Sequence, residues 1–120
     1  MQAQAQAKAK EHTITIEGTG SNLSYKDQNG NPARVKRAKR LESIGWQSKD
    51  KEEFIIDDFK EKETGTSAWP FEGKPETLES KGGEVPPLTV SDQAKLKISY
   101  KYTVRKPPSG PPDDPEIIID

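Results

Sequence analysis

His12 is the only imidazole in 120 residues, and the chain contains no cysteine. Nucleophilic catalysis of the Ser-His or Cys-His kind needs a base within hydrogen-bond reach of the nucleophile. The one available base sits beside a low-complexity N-terminal run, so catalysis through His12 is not expected. The absence of cysteine excludes disulfides, thiol chemistry and thiolate metal sites. Carboxylates are more plentiful: Asp57-Asp58, or Asp113-Asp114 with Asp120, could form an acid/base pair or a calcium site. Adjacent residues on a strand point to opposite faces, however, and no D-x-[DN]-x-[DN]-G calcium-loop spacing occurs. Solvated faces and a turn-forming Asp-Pro are the plainer account. The chain is therefore expected not to be an enzyme, with no catalytic residues, no metal and no cofactor.

Two further groups could bind rather than react. Arg34, Lys36, Arg37, Lys39 and Arg40 place five cations in seven positions, the densest charge feature of the chain. Such a run could contact phosphates, RNA or an acidic protein patch. Single-strand binding would add stacked aromatics, for which Tyr25 and Trp46 are near in sequence. No RNA-binding signature accompanies them, and a solvated strand, or an edge guarded by charged side chains, explains the run more simply. The second group is Trp69-Pro70-Phe71, two large aromatics in a polar stretch. Loop aromatics anchor protein partners and stack on sugars, although packing back to plug the open end of the fold is the plainer reading.

These groups must be positioned by short strands. His12 to Glu17 alternates polar and apolar residues with β-branched side chains, the period of a half-buried strand. A loop follows over 21 to 33, with Asn29-Gly30 as a tight turn and a short strand around Leu23 and Tyr25. Val35, Ala38, Leu41 and Ile44 recur every three residues, which hints at a helical turn near 36 to 41. We favour instead two strands, Ile44 to Ser48 and Phe54 to Phe59, joined by the turn at Lys49-Asp50-Lys51. Residues 60 to 87 read as a long loop, the first place to look for binding. A short strand is expected at 88 to 91. Lys95 to Val104 alternates strictly, predicting a strand with Leu96, Ile98, Tyr100, Tyr102 and Val104 toward the core. After a Pro-rich segment over 106 to 115, Glu116 to Asp120 is expected to pair with a sheet edge. Residues 1 to 11, alternating Ala with Gln or Lys, read as a flexible arm. The alternative is a segment that orders on a neighbouring subunit. Residues 12 to 120 then form a single domain.

Composition agrees with much solvated surface: 29% of residues are apolar and 32% charged. The 19 basic and 20 acidic residues nearly cancel, leaving no global field to steer the chain to nucleic acid or an anionic membrane. No signal peptide or long apolar run is present, so no membrane insertion is expected and a cytoplasmic location is favoured.

Several of these residues carry a resemblance. Over residues 33 to 120, the succession Ile44-x-Trp46-x-Ser48-x-Asp50, Phe54-x-Ile56-x-x-Phe59, Pro70-Phe71, Tyr100-x-Tyr102 and Asp114-Pro115-Glu116-Ile117-Ile118-Ile119 resembles small bacterial cupredoxin-like domains. The resemblance implies a Greek-key sandwich in which the Trp-x-Ser-x-Asp strand runs into a loop and the Tyr-x-Tyr strand lies in the second sheet. The chain departs from it at Arg40-Leu41-Glu42, where a turn glycine is usual. Type 1 copper is held by two imidazoles, a thiolate and usually a weak axial methionine. With one His, no Cys and Met1 as the sole methionine, electron transfer is not implied. The expected architecture is thus an all-β, Greek-key sandwich, cupredoxin-like or immunoglobulin-like. The expected role is noncatalytic protein interaction or assembly through a protein partner or self-association. The alternative is binding of carbohydrate through Trp69 and Phe71, or of nucleic acid through the basic run.

Overall fold

The computed structural model describes residues 10 to 73 and 76 to 120. Nine strands form in chain order: β1 (Glu11–Glu17), β2 (Ser24–Lys26), β3 (Val35–Ala38), β4 (Ser43–Ser48), β5 (Ile55–Glu61), β6 (Leu78–Glu79), β7 (Glu84–Thr89), β8 (Ser99–Arg105) and β9 (Glu116–Ile119). They build two sheets, ordered β2-β1-β4-β7 and β3-β9-β8-β5-β6. Each sheet is mixed: β1 runs parallel to β4 and β3 parallel to β9, while the other pairings are antiparallel. The fold is an all-β sandwich, as the spacing of short alternating segments predicts.

Alternation decides which face is buried. His12, Ile14 and Ile16 of β1, Tyr100, Tyr102 and Val104 of β8, and Ile117 and Ile119 of β9 all point inward and are buried. Trp46 of β4 crosses the sandwich, donating its Nε1–H to the Tyr102 hydroxyl at 3.2 Å. It also meets Tyr102 and Phe71 edge-on, at ring separations of 5.6 and 6.0 Å. Fully buried Trp and Tyr need such a partner for their polar atoms. Trp46 is thus a core residue.

Several local expectations are refined or corrected. The strict alternation over 95 to 104 does not make one strand. Lys97 adopts φ 65°, and its N–H is drawn to the Ile119 carbonyl, so β8 opens only at Ser99 and Leu96 is left 43% exposed. The three-residue spacing at 35 to 44 yields strand β3 and a turn through Leu41 (φ 71°), not a helical turn. The Lys49-Asp50-Lys51 turn joins β4 and β5 as expected, and because these strands lie in different sheets it carries the chain across the sandwich.

The long stretch over 60 to 87 contains β6 and the start of β7. Pro86 and Pro87 hid β7, but it is an edge strand, and the two prolines fall at a bulge in its pairing with β4. The pairing jumps from Ile44↔Leu88 to Trp46↔Val85, and Gly45 accommodates the bulge. A Cβ at Gly45 would sit 3.1 Å from Pro87 N and 3.1 Å from the Val85 carbonyl oxygen.

The terminal isoleucines also do better than an edge. β9 lies between β3 and β8, with backbone partners on both sides, and the basic run forms the edge in its place. Of the expected arm, residues 1 to 9 lie outside the described residues, and Glu11 already belongs to β1.

Candidate functional site

The basic run shapes one margin of the sandwich. β3 is four residues long and is held to β9 by bonds from Glu116 N–H to the Arg34 carbonyl and Asp120 N–H to the Ala38 carbonyl, each 2.8 Å. In a parallel ladder alternate residues bond to the same neighbour. The N–H and C=O groups of Val35 and Arg37 therefore point to the free edge, where Val35 is 47% exposed.

The cations of this run are engaged within the molecule. Arg34 forms a two-pronged pair with Asp113 at 2.7 and 2.8 Å and lies over the Tyr25 ring, whose hydroxyl donates to the same carboxylate at 2.7 Å. The Arg34 hydrogen bonds hold Asp113 below the usual carboxylate range and, in return, push the guanidinium up. Burial, then the Asp113 hydrogen bond, raises the Tyr25 hydroxyl. Arg37 grips Asp120 through two bonds of 2.9 Å, and with Lys97 it draws that carboxyl down to about 2. Lys36 sits 3.6 Å from Asp27, and Arg40 donates to the Ala94 carbonyl at 2.9 and 2.6 Å. Of the five, only the Lys39 side chain makes no such contact with a described residue, although its backbone N–H is bonded to Glu42.

The loop aromatics separate. Phe71 is buried and Trp69 half-buried. Together with Phe59 they pack edge to face at ring separations of 5.0 to 5.7 Å, and Phe59 in turn stacks on Tyr102. Phe71 therefore plugs the sandwich. The Trp69 indole is fixed by donation from Nε1–H to the Gly73 carbonyl at 3.0 Å, and it lines a cleft of about 400 Å³.

That cleft holds a pair that strand alternation argued against. Asp57 and Asp58 both line it, together with Ser67, Glu76 and Thr77. The ladder between β5 and β8 slips between Asp57 and Lys60, and Asp58 takes φ 56°, a break in alternation that lets both residues line this cleft. The signal lay in Phe54-x-Ile56-x-x-Phe59, where the inward positions change spacing from two to three.

Lys106 is a second site the sequence reading missed. It continues the inward phase of Tyr100, Tyr102 and Val104 and is fully buried. Its ammonium donates to the Gly18 carbonyl and to Asp50 at 3.0 Å, with Glu52 at 3.6 Å. It ties together the turns after β1 and β4 at one end of the sandwich. At the other end His12 is buried, its Nε2 bonded to Glu42 at 2.9 Å. No protein-family model matches the chain, and no curated protein matches its sequence.

Proposed function

We propose that this chain is a noncatalytic assembly module, and that its contact is the free edge of β3 joined to β3 of a second copy. One observation carries the reading: the Val35 and Arg37 backbone groups are turned outward on a strand whose flanking cations are neutralised by the chain's own carboxylates. Exposed sheet edges are templates for strand addition, and free charges are a usual guard against it. With Arg34, Lys36 and Arg37 paired to Asp113, Asp27 and Asp120, two such edges approach with little net repulsion. The other edges are poorer templates: β2 and β6 are three and two residues long, and β7 is interrupted by two prolines. A noncatalytic role is supported by the position of His12, whose Nε2 is occupied by Glu42 inside the sandwich. Among the described residues no helix is long and apolar enough to cross a membrane.

The cupredoxin-like reading of the fold is supported by the mixed sheets. A parallel pair in each departs from the antiparallel sheets of the immunoglobulin constant type. A nucleic-acid role through the basic run is the less favoured reading, since Arg34, Lys36 and Arg37 pair with carboxylates and Arg40 with the Ala94 carbonyl.

Light scattering on the purified chain tests the proposal. The mass should rise toward a dimer with concentration, and Val35→Pro, whose N–H is outside the β9 ladder, should hold the chain as a folded monomer. A wild-type chain that stays monomeric up to about 1 mM, a generous limit for a specific contact, overturns it.

A further inference from the structure

We infer that the cleft between Trp69 and the Asp57-Asp58 bulge is a binding site for a neutral carbohydrate, independent of the β3 edge. Its volume of about 400 Å³ falls within the roughly 300 to 1,000 Å³ of pockets that hold small molecules. One wall is an indole that is already rigid. Its N–H is satisfied by Gly73 and it is flanked edge-on by Phe59 and Phe71, so a ligand laid against it orders no side chain. An aromatic wall with its polar atom engaged offers apolar contact, which suits the C–H face of a sugar ring.

The polar lining selects for hydroxyl donors. Asp57, Asp58 and Glu76 supply carboxylate acceptors, and the two aspartates are only loosely held: Asp57 meets Arg105 at 3.4 Å and Asp58 meets Lys60 at 3.4 Å. Each aspartate thus carries its own counter-cation and still has oxygen lone pairs free. A cationic ligand would have to displace or outcompete Lys60 and Arg105, whereas a neutral O–H donor uses the vacant lone pairs and gains charge-assisted hydrogen bonds. The hydroxyls of Ser67 and Thr77 add groups able both to donate and to accept, as a polyol requires. The β5 bulge brings this together, because without the extra residue Asp57 and Asp58 would face opposite sides of the sheet. An aspartate with φ 56° carries a backbone cost, which such a bulge places next to the cleft.

The test is a titration of the full chain with maltotriose, cellotriose and chitotriose, read by tryptophan emission and by saturation-transfer NMR on the sugar. Trp46 is buried, so a change in emission reports Trp69. At least one trisaccharide should saturate with a Kd on the order of 1 mM. Asp58→Asn keeps a residue tolerant of positive φ and should weaken binding about tenfold or more. Trp69→Phe, which preserves packing on Phe59, should weaken it as well, with near-UV circular dichroism confirming that both variants are folded. The proposal is overturned if no trisaccharide saturates by about 20 mM or if both variants bind like the wild type. Preferential binding of N-acetylarginine amide also overturns it, since that would mark a cation site.

Discussion

The buried ammonium of Lys106 makes a sharp energetic prediction, because charge and packing pull its variants in different directions. Lys106 has 0% side-chain exposure, while its carboxylate partners Asp50 and Glu52 are 56% and 39% exposed. Replacing Lys106 by methionine keeps most of the stem's volume and removes an ion held out of water. The partly exposed carboxylates and the Gly18 carbonyl then return to solvent. The expected change is within about 1 kcal/mol. Lys106→Ala leaves the same groups wet but opens a cavity between the sheets, for a loss of about 2 to 4 kcal/mol.

The double variant Asp50→Asn, Glu52→Gln keeps shape and turn bonds but strips the ammonium of its counter-charges. Breaking a buried pair from one side is destabilising, so this variant should unfold at lower urea than Lys106→Met. Urea unfolding followed by tryptophan emission gives the order directly, with midpoints compared at constant m. Thermal midpoints should move about 4 °C per kcal/mol for a chain of this size. A methionine variant as unstable as the alanine variant would refute the reasoning, since Lys106 would then act through its charge rather than its stem.

Two further perturbations probe the margins. Asp113 is held below its ordinary value by Arg34, so the stability it confers is present above about pH 4 and is lost as pH falls through its depressed folded value. Asp113→Asn should cost about 1 to 2 kcal/mol at neutral pH and flatten the acid limb of the stability curve below pH 4, measured by urea titration at stepped pH. Parallel curves for variant and wild type would contradict this. Gly45→Ala should cost about 1 to 3 kcal/mol in the same denaturation assay, because its Cβ would press on the Pro87 backbone and lift β7. An unchanged midpoint would mean that the β7 edge yields freely.

What the sequence disclosed follows how local each cause is. The β1 strand, the Tyr100 to Val104 face and the need to bury the terminal isoleucines were legible, because period-two alternation with β-branched side chains has few other solutions. The same rule misled at Leu96, where a backbone turn at Lys97 intervenes before the strand, and it concealed Asp57-Asp58, where a bulge breaks the phase. Strand β7 was hidden by prolines that are tolerated at a bulge on the edge of a sheet. The basic run looked like a free charged surface because its partners are remote: Arg34 and Asp113 are 79 positions apart, and Arg37 and Asp120 are 83. Lys106 was readable in principle as the next inward position of β8, but its charge argued for solvent. Trp69 and Phe71 stand out together in the sequence, yet Phe71 is buried and Trp69 lines the cleft.

Backbone hydrogen exchange at Val35 and Arg37, followed by NMR as a function of protein concentration, tests the assembly reading most directly. The amides of Lys36 and Ala38 face β9 in the ladder and should be protected at every concentration. The account predicts that protection of Val35 and Arg37 appears as concentration rises and is absent at Arg37 in Val35→Pro. Fast exchange at both residues at every concentration, with Lys36 and Ala38 protected, would contradict it.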